Sequence, residues 1–173
     1  MLRLRLCAVG LVASGLASGL ALAFPLLVNP HFASAQGDAV MPAAASANLN
    51  LAQRLTLWNR AYGLGHYVPV FAVSAACALA GAGQHAAVPL RRWLLGASVL
   101  HVSIIPFTLL CIMPVNMRLA ELRIAANKGE EVQAPEVESL FKKWAALHNV
   151  RVAVSIAAFS TAVGSVVVGT PAW

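Results

Sequence analysis

Hydrophobic and polar positions along the 173-residue chain separate into long blocks. Charged residues are missing from Leu6 to Gly37, Ala61 to Leu90, Trp93 to Met117 and Val152 to Trp173. Each block can hold the ~20 apolar residues that a membrane-spanning helix needs. The pattern predicts an all-α fold, a four-transmembrane-helix bundle with helices near 6–28, 62–83, 93–115 and 150–169, as a single integral-membrane domain over residues 1–173.

The segments between the blocks differ from one another. Residues 29–48 are rich in Ala, Ser, Pro and Asn and read as a loop. Residues 49–60, LNLAQRLTLWNR, predict a short amphipathic interfacial helix with Leu49, Leu51, Leu55 and Trp58 as its apolar contacts. Residues 118–148 hold five of the six acidic residues and predict a charged helical hairpin between helices 3 and 4.

The first block has two readings. Arg3, Arg5, the apolar run and Ala33-Ser34-Ala35 fit a cleaved secretory signal. The run from Leu6 to Val28 is 23 residues long, whereas a signal core is about 7–15. It also carries Gly15-Leu-Ala-Ser-Gly19, a spacing that lets two helices approach closely. A retained helix is the expectation.

Composition sharpens this picture. The chain is 60% hydrophobic and 10% charged, with mean hydropathy +0.75, where soluble domains are about a quarter charged. The net charge is +6, but the basic residues are scattered, so no nucleic-acid partner is expected. They flank the spans, as in a multi-pass integral membrane protein surrounded by membrane lipid. Orientation is not decided, because Arg3, Arg5, Arg91 and Arg92 face eight basic residues on the other side. Self-association into a homo-oligomer stays open. Cys7, Cys77 and Cys111 lie apart in apolar runs and read as buried packing thiols.

With four spans, the end of helix 1, the start of helix 2, the end of helix 3 and the start of helix 4 share one side. Helix 2 starts there with Asn59, Tyr62 and His66. Helix 3 ends with Thr108, Pro114 and Asn116, and His101 lies deeper on the Thr108 face. Helix 4 starts with Trp144, His148 and Arg151, spaced i, i+4, i+7 on one face. Polar side chains at that depth are costly and tend to face the interior or a wet cavity. The other reading is that His148 and Arg151 snorkel outward while Tyr62 and Trp144 belong to an aromatic belt. Pro106 removes one mid-helix hydrogen bond, which either widens a pocket or is simply tolerated.

No predicted helix carries an Asp or Glu in its apolar run, which argues against a di-iron bundle site. The sequence has no C-x-x-C-H, no Gly-rich phosphate loop and no G-x-S-x-G elbow. A metal site from His66, His101 and His148, or a bis-histidine haem, remains as an alternative. Otherwise the residues leave a histidine base with neutral or cationic donors in an apolar pocket.

The pattern Tyr62-x-x-Gly65-x-x-x-Pro69, Pro106-x-Thr108, Met113-Pro114-x-Asn116 and Trp144-x-x-x-His148-x-x-Arg151 resembles the anthrone oxygenase family. The resemblance implies a small four-helix membrane protein that converts an anthrone to an anthraquinone with O₂ in aromatic polyketide biosynthesis. It implies a monooxygenase with no cofactor beyond molecular oxygen as co-substrate, no metal, and a planar aromatic polyketide as substrate. On that view His148 is the base, with His66 and then His101 as competitors. Arg151 or Asn116 stabilises the oxyanion. Trp144 and Tyr62 stack on the polycycle, and His66, Thr108 and His101 line its site. Residues 29–60 exceed the family's core pattern. The rival classes are a non-catalytic membrane scaffold or small-molecule binder, and a His-ligated haem redox protein.

Overall fold

A computed structural model describes residues 1–32 and 49–169 of the chain. The Ala33-Ser34-Ala35 motif and most of the 29–48 loop lie outside the described residues. The described residues contain four helices long and apolar enough to cross a membrane: Leu2–Val28, Leu51–Gln84, Val88–Asn127 and Ala134–Val167. They are named helices 1 to 4 here. The expected all-α class and four long apolar helices are therefore present. Outward positions such as Val12, Leu26, Val70, Val99, Leu110 and Val167 are apolar.

Local chemistry explains where these helices begin and bend. Helix 2 opens on a reciprocal cap: Gln53 N–H donates to Asn50 Oδ1, and Asn50 N–H donates to Gln53 Oε1, both at 2.9 Å. That pairing satisfies two donors which the first turn would otherwise leave open. Pro25 has no N–H to continue helix 1, and the chain takes a π-helical turn over Phe24–Val28, with Asn29 N–H donating to the Phe24 carbonyl. Helix 3 carries Pro106 and then a second π-helical turn, Thr108–Ile112. Gly129, at φ 79°, turns the chain between helices 3 and 4. The helices outrun the charge-free blocks: helix 3 continues past Arg118, Glu121 and Arg123.

Helix 4 shows one buried seam along its whole length. Val137, Phe141, Trp144, His148, Arg151, Ser155, Ala158, Ala162 and Ser165 are all buried. Their alternating four- and three-residue steps are the spacing that lets a helix lock into its neighbours. Polar residues occupy three successive positions of this seam.

The chain forms two compact units. The first comprises Met1–Ala21, His66–Phe107 and the segment from Arg151 onward. Its core steps down the helices in small side chains: Leu79, Ala82, Leu94, Ala97 and Ala162, then Ala17, Ala72 and Ile104, then Ala21, Val68 and Val152. Gly10 marks the closest approach, where a Cβ would stand 2.7 Å from Leu79 side-chain atoms. Polar ties cross between these helices: Ser14 Oγ lies 2.7 Å from His101 Nε2, and Ser18 donates to the Ser155 carbonyl at 2.8 Å. Such bonds replace part of the hydrophobic drive that is lost when the surround is itself apolar.

The second unit comprises Leu22–Gly65 and Thr108–Val150. It contains both π-helical turns and most of the large buried rings. Leu55 and Trp58, expected on an interfacial face, are fully buried here.

One expectation is corrected. Cys77 is exposed, and Cys7 and Cys111 are only half-buried. Each lies in an apolar run, but the burial of an apolar run says nothing about which face a given residue takes. Small side chains fill the seams, and Cys77 falls on an outward face.

Candidate functional site

Within the second unit, side chains from all four helices converge on Trp144. Its indole stacks on the imidazole of His148, one turn on, with centroids 5.0 Å and planes 15° apart. Trp58 meets the same indole edge-on at 6.4 Å and 89°. Trp58 in turn stacks on Tyr62 at 5.4 Å and 4°. Both pairs are i, i+4 on their helices, the spacing that brings side chains into register. Phe24 completes the cluster, with its ring centroid 4.9 Å from His148 and 6.0 Å from Trp144.

One hydrogen bond gives this apolar cluster a direction. Trp144 Nε1 donates to Asn116 Oδ1 at 2.8 Å, in a buried environment. An indole N–H can only donate, so the partner atom must be the amide oxygen. The amide orientation is thereby fixed, and what Asn116 can still offer is its NH₂. Asn116 is placed by the helical segment that starts at Met113, with Pro114 in its first turn. Tyr62 OH points to the Met113 sulfur at 3.8 Å. Trp58 Nε1 and Thr108 Oγ1 are buried with no protein partner among the described residues.

A partly buried ion pair lies on the same face of helix 2, one turn before Trp58. Arg54 donates to Glu138 at 2.6 Å, with the arginine side chain 3% exposed. The guanidinium also lies 5.4 Å from the centre of the Phe141 ring.

The sequence candidates divide as follows. Tyr62, Asn116, Trp144 and His148 come together in this cluster. His66 is exposed, at the junction of the segments Leu51–Gly65 and Tyr67–Gln84. His101 and Arg151 are buried and belong to the first unit. Thr108 lies on the second π-helical turn. Sequence reasoning missed Phe24 and Trp58. Trp58 did carry a signal, its i, i+4 relation to Tyr62. Phe24 carried only the proline that follows it. Among the described residues no three His, Cys, Asp or Glu side chains group as a metal site requires.

The family model described as anthrone oxygenase matches residues 58–161, more than half of the chain. The chain belongs to the anthrone oxygenase family. The match begins at Trp58 and contains every candidate named from the sequence, while Phe24 lies before it. Over 100 residues the chain is 35% identical to anthrone oxygenase AgnL2 of Paecilomyces divaricatus, covering 54% of this chain and 61% of that protein. The alignment thus spans about three-fifths of the length of that curated relative. No solved structure matches the chain.

Proposed function

We propose that the protein is a membrane-embedded anthrone oxygenase that converts an anthrone and O₂ to an anthraquinone and water, without a resident cofactor, in aromatic polyketide biosynthesis. Family membership supports the reaction class. The observation that carries the residue assignment is the Trp144 pair of contacts: one ring holds both an imidazole and an oriented amide.

The chemistry follows from the substrate. The anthrone CH₂ lies opposite a ketone, so its proton is acidic. His148 takes that proton, and the resulting anion is delocalised into the ketone oxygen. The Asn116 NH₂ donates to the developing oxyanion. The anion passes one electron to O₂, giving an anthrone radical and superoxide. Their recombination forms a carbon–oxygen bond and, with a proton, a hydroperoxide. Loss of the remaining C–H proton breaks the O–O bond and yields the second carbonyl and water. An electron-rich anion can make this transfer to oxygen itself, so the protein need only supply a base, a donor and a dry, flat site. Trp144, Trp58 and Tyr62 are the rings we assign to stacking on the polycycle. The unpartnered Thr108 hydroxyl is a donor for a substrate oxygen. His148 is preferred over His66, which faces outward, and over His101, whose Nε2 is engaged by Ser14.

The deciding experiment is turnover of an anthrone by membranes containing the protein, with and without O₂ and with and without a chelator. Product that requires O₂ and is indifferent to the chelator is expected. Loss with chelator and recovery with iron or copper would refute the cofactor-free reaction. Binding of the anthrone without turnover would leave a binding protein instead.

A further inference from the structure

The imidazole of His148 is completely sealed, with 0% of its surface exposed. Trp144 stacks on it at 5.0 Å, and Phe24 packs against it at 4.9 Å, tilted by 48°. An imidazole takes a proton at a ring nitrogen, and with no part of His148 exposed a planar tricyclic molecule reaches one only if a neighbouring side chain moves. Trp144 and Phe24 are the two rings that pack against it.

The two rings are held very differently. Trp144 sits within an uninterrupted helix, Ala134–Gly169, and its N–H is bonded to Asn116. It also meets Trp58. Phe24 opens the π-helical turn Phe24–Val28, where the backbone bond runs from Asn29 N–H to the Phe24 carbonyl. Its neighbour Pro25 contributes no backbone donor. The ring is apolar and forms no hydrogen bond. Its tip lies beside Gly65, where an added Cβ would make an ordinary contact with Phe24 Cζ at 3.5 Å. Single-turn π irregularities of this kind are frequent at functional sites because they leave local slack in the backbone hydrogen-bond ladder.

We infer that Phe24 is the specificity-determining side chain of this site: it fills the place the substrate ring takes, and its displacement admits the planar ring to His148. An aromatic substrate entering there restores the ring contact with His148 and Trp144 that Phe24 gives up, so the exchange is between like surfaces. An aliphatic molecule restores no such contact. Selection for a flat aromatic substrate is then built into opening the site. Phe24 lies outside residues 58–161 that match the family, so the gate belongs to helix 1 of this chain and not to the matched stretch. This inference rests on the reading of His148 as the base, and its test is chosen to be independent of turnover.

The protein in its membranes is treated with diethyl pyrocarbonate, and modification of each histidine is followed by mass spectrometry. The exposed His66 and His85 are internal references. Phe24→Ala should speed modification of His148 by about tenfold or more, since the local opening that exposes it no longer has to move a ring. Phe24→Trp should slow it, and the references should not change. Phe24→Leu keeps most of the volume and guards against misfolding; it should fall between wild type and Phe24→Ala. Unchanged His148 labelling in Phe24→Leu and in a folded Phe24→Ala would overturn the inference. In turnover, Phe24→Ala should lower KM for an anthrone carrying an extra fused ring relative to the parent tricycle. If labelling rises as expected while His148→Ala retains full turnover, the gate stands and the base assignment falls.

Discussion

Trp144 lies over His148 with the two ring planes 15° apart, and the same indole donates its N–H to Asn116. A general base needs a ring nitrogen held toward the proton it takes, and an oxyanion donor needs a fixed direction. Under the proposed assignment of His148 and Asn116, a single tryptophan would serve both needs. Its helical position sets the stack, and its one polar atom sets the amide.

The first prediction concerns the base. General-base help is worth about 10²–10⁴ in rate. His148→Ala should therefore lose that much turnover while substrate binding changes far less. Raising the assay pH should partly restore it, because more of the anthrone then ionises unaided. His66→Ala should stay close to wild type, as the imidazole faces outward. The measurement is kcat across pH for both variants. Retained turnover in His148→Ala with loss in His66→Ala would move the base to helix 2.

The second prediction separates Trp144 as a ring from Trp144 as a donor. Trp144→Phe keeps an aromatic face over His148 but leaves Asn116 Oδ1 buried without its donor. An unsatisfied buried group costs about 1–3 kcal/mol, and the amide becomes free to rotate. Thermal stability in detergent and kcat should both fall. Asn116→Leu removes the NH₂ altogether and should depress kcat further. Unaltered kcat in Asn116→Leu would exclude the amide as oxyanion donor.

Much of this arrangement was legible in the chain, for identifiable reasons. Four charge-free blocks mark four long apolar helices because a helix able to cross a membrane can carry few unpaired charges. The Trp144–His148–Arg151 stripe was legible because helical periodicity is local. The Trp144–Asn116 bond was not, since it joins residues 28 apart through tertiary packing. Trp58 was read as facing an interface because amphipathicity identifies an apolar face but not what covers it. Phe24 was hidden because one more apolar residue inside an apolar run carries no mark. Helix ends were blurred for a similar reason: helix 3 continues into a charged segment whose residues favour helix as well as Leu does.

The third prediction uses the Arg54–Glu138 pair. Removing one member of a fully buried ion pair costs about 3–5 kcal/mol because the other charge is stranded. Glu138 is 31% exposed, so solvent reduces the penalty here. Glu138→Leu should still lower the melting temperature clearly. Adding Arg54→Met should recover part of the loss, because the buried positive charge is then gone. A double variant less stable than Glu138→Leu would show that Arg54 is needed chiefly for its other contacts, such as the Phe141 ring.

The final prediction concerns the other buried histidine. His101 Nε2 lies 2.7 Å from Ser14 Oγ, and its Nδ1 has no partner among the described residues. Ser14→Ala would leave the imidazole without that bond. Interhelical hydrogen bonds in membranes average about 0.6 kcal/mol and reach about 1.7, so a modest loss of stability is expected. Replacing both partners by apolar groups removes the unsatisfied atoms as well, and such exchanges are often close to neutral. Ser14→Ala with His101→Leu should therefore be at least as stable as Ser14→Ala alone. Turnover of the double variant decides what His101 is for. A packing tie between helices 1 and 3 can be exchanged for an apolar contact with kcat near wild type. A base cannot, and would lose about 10²–10⁴ in rate. Near-normal turnover in the double variant, beside the collapse expected for His148→Ala, would assign the two imidazoles opposite roles: one holds helices together, and the other takes the proton.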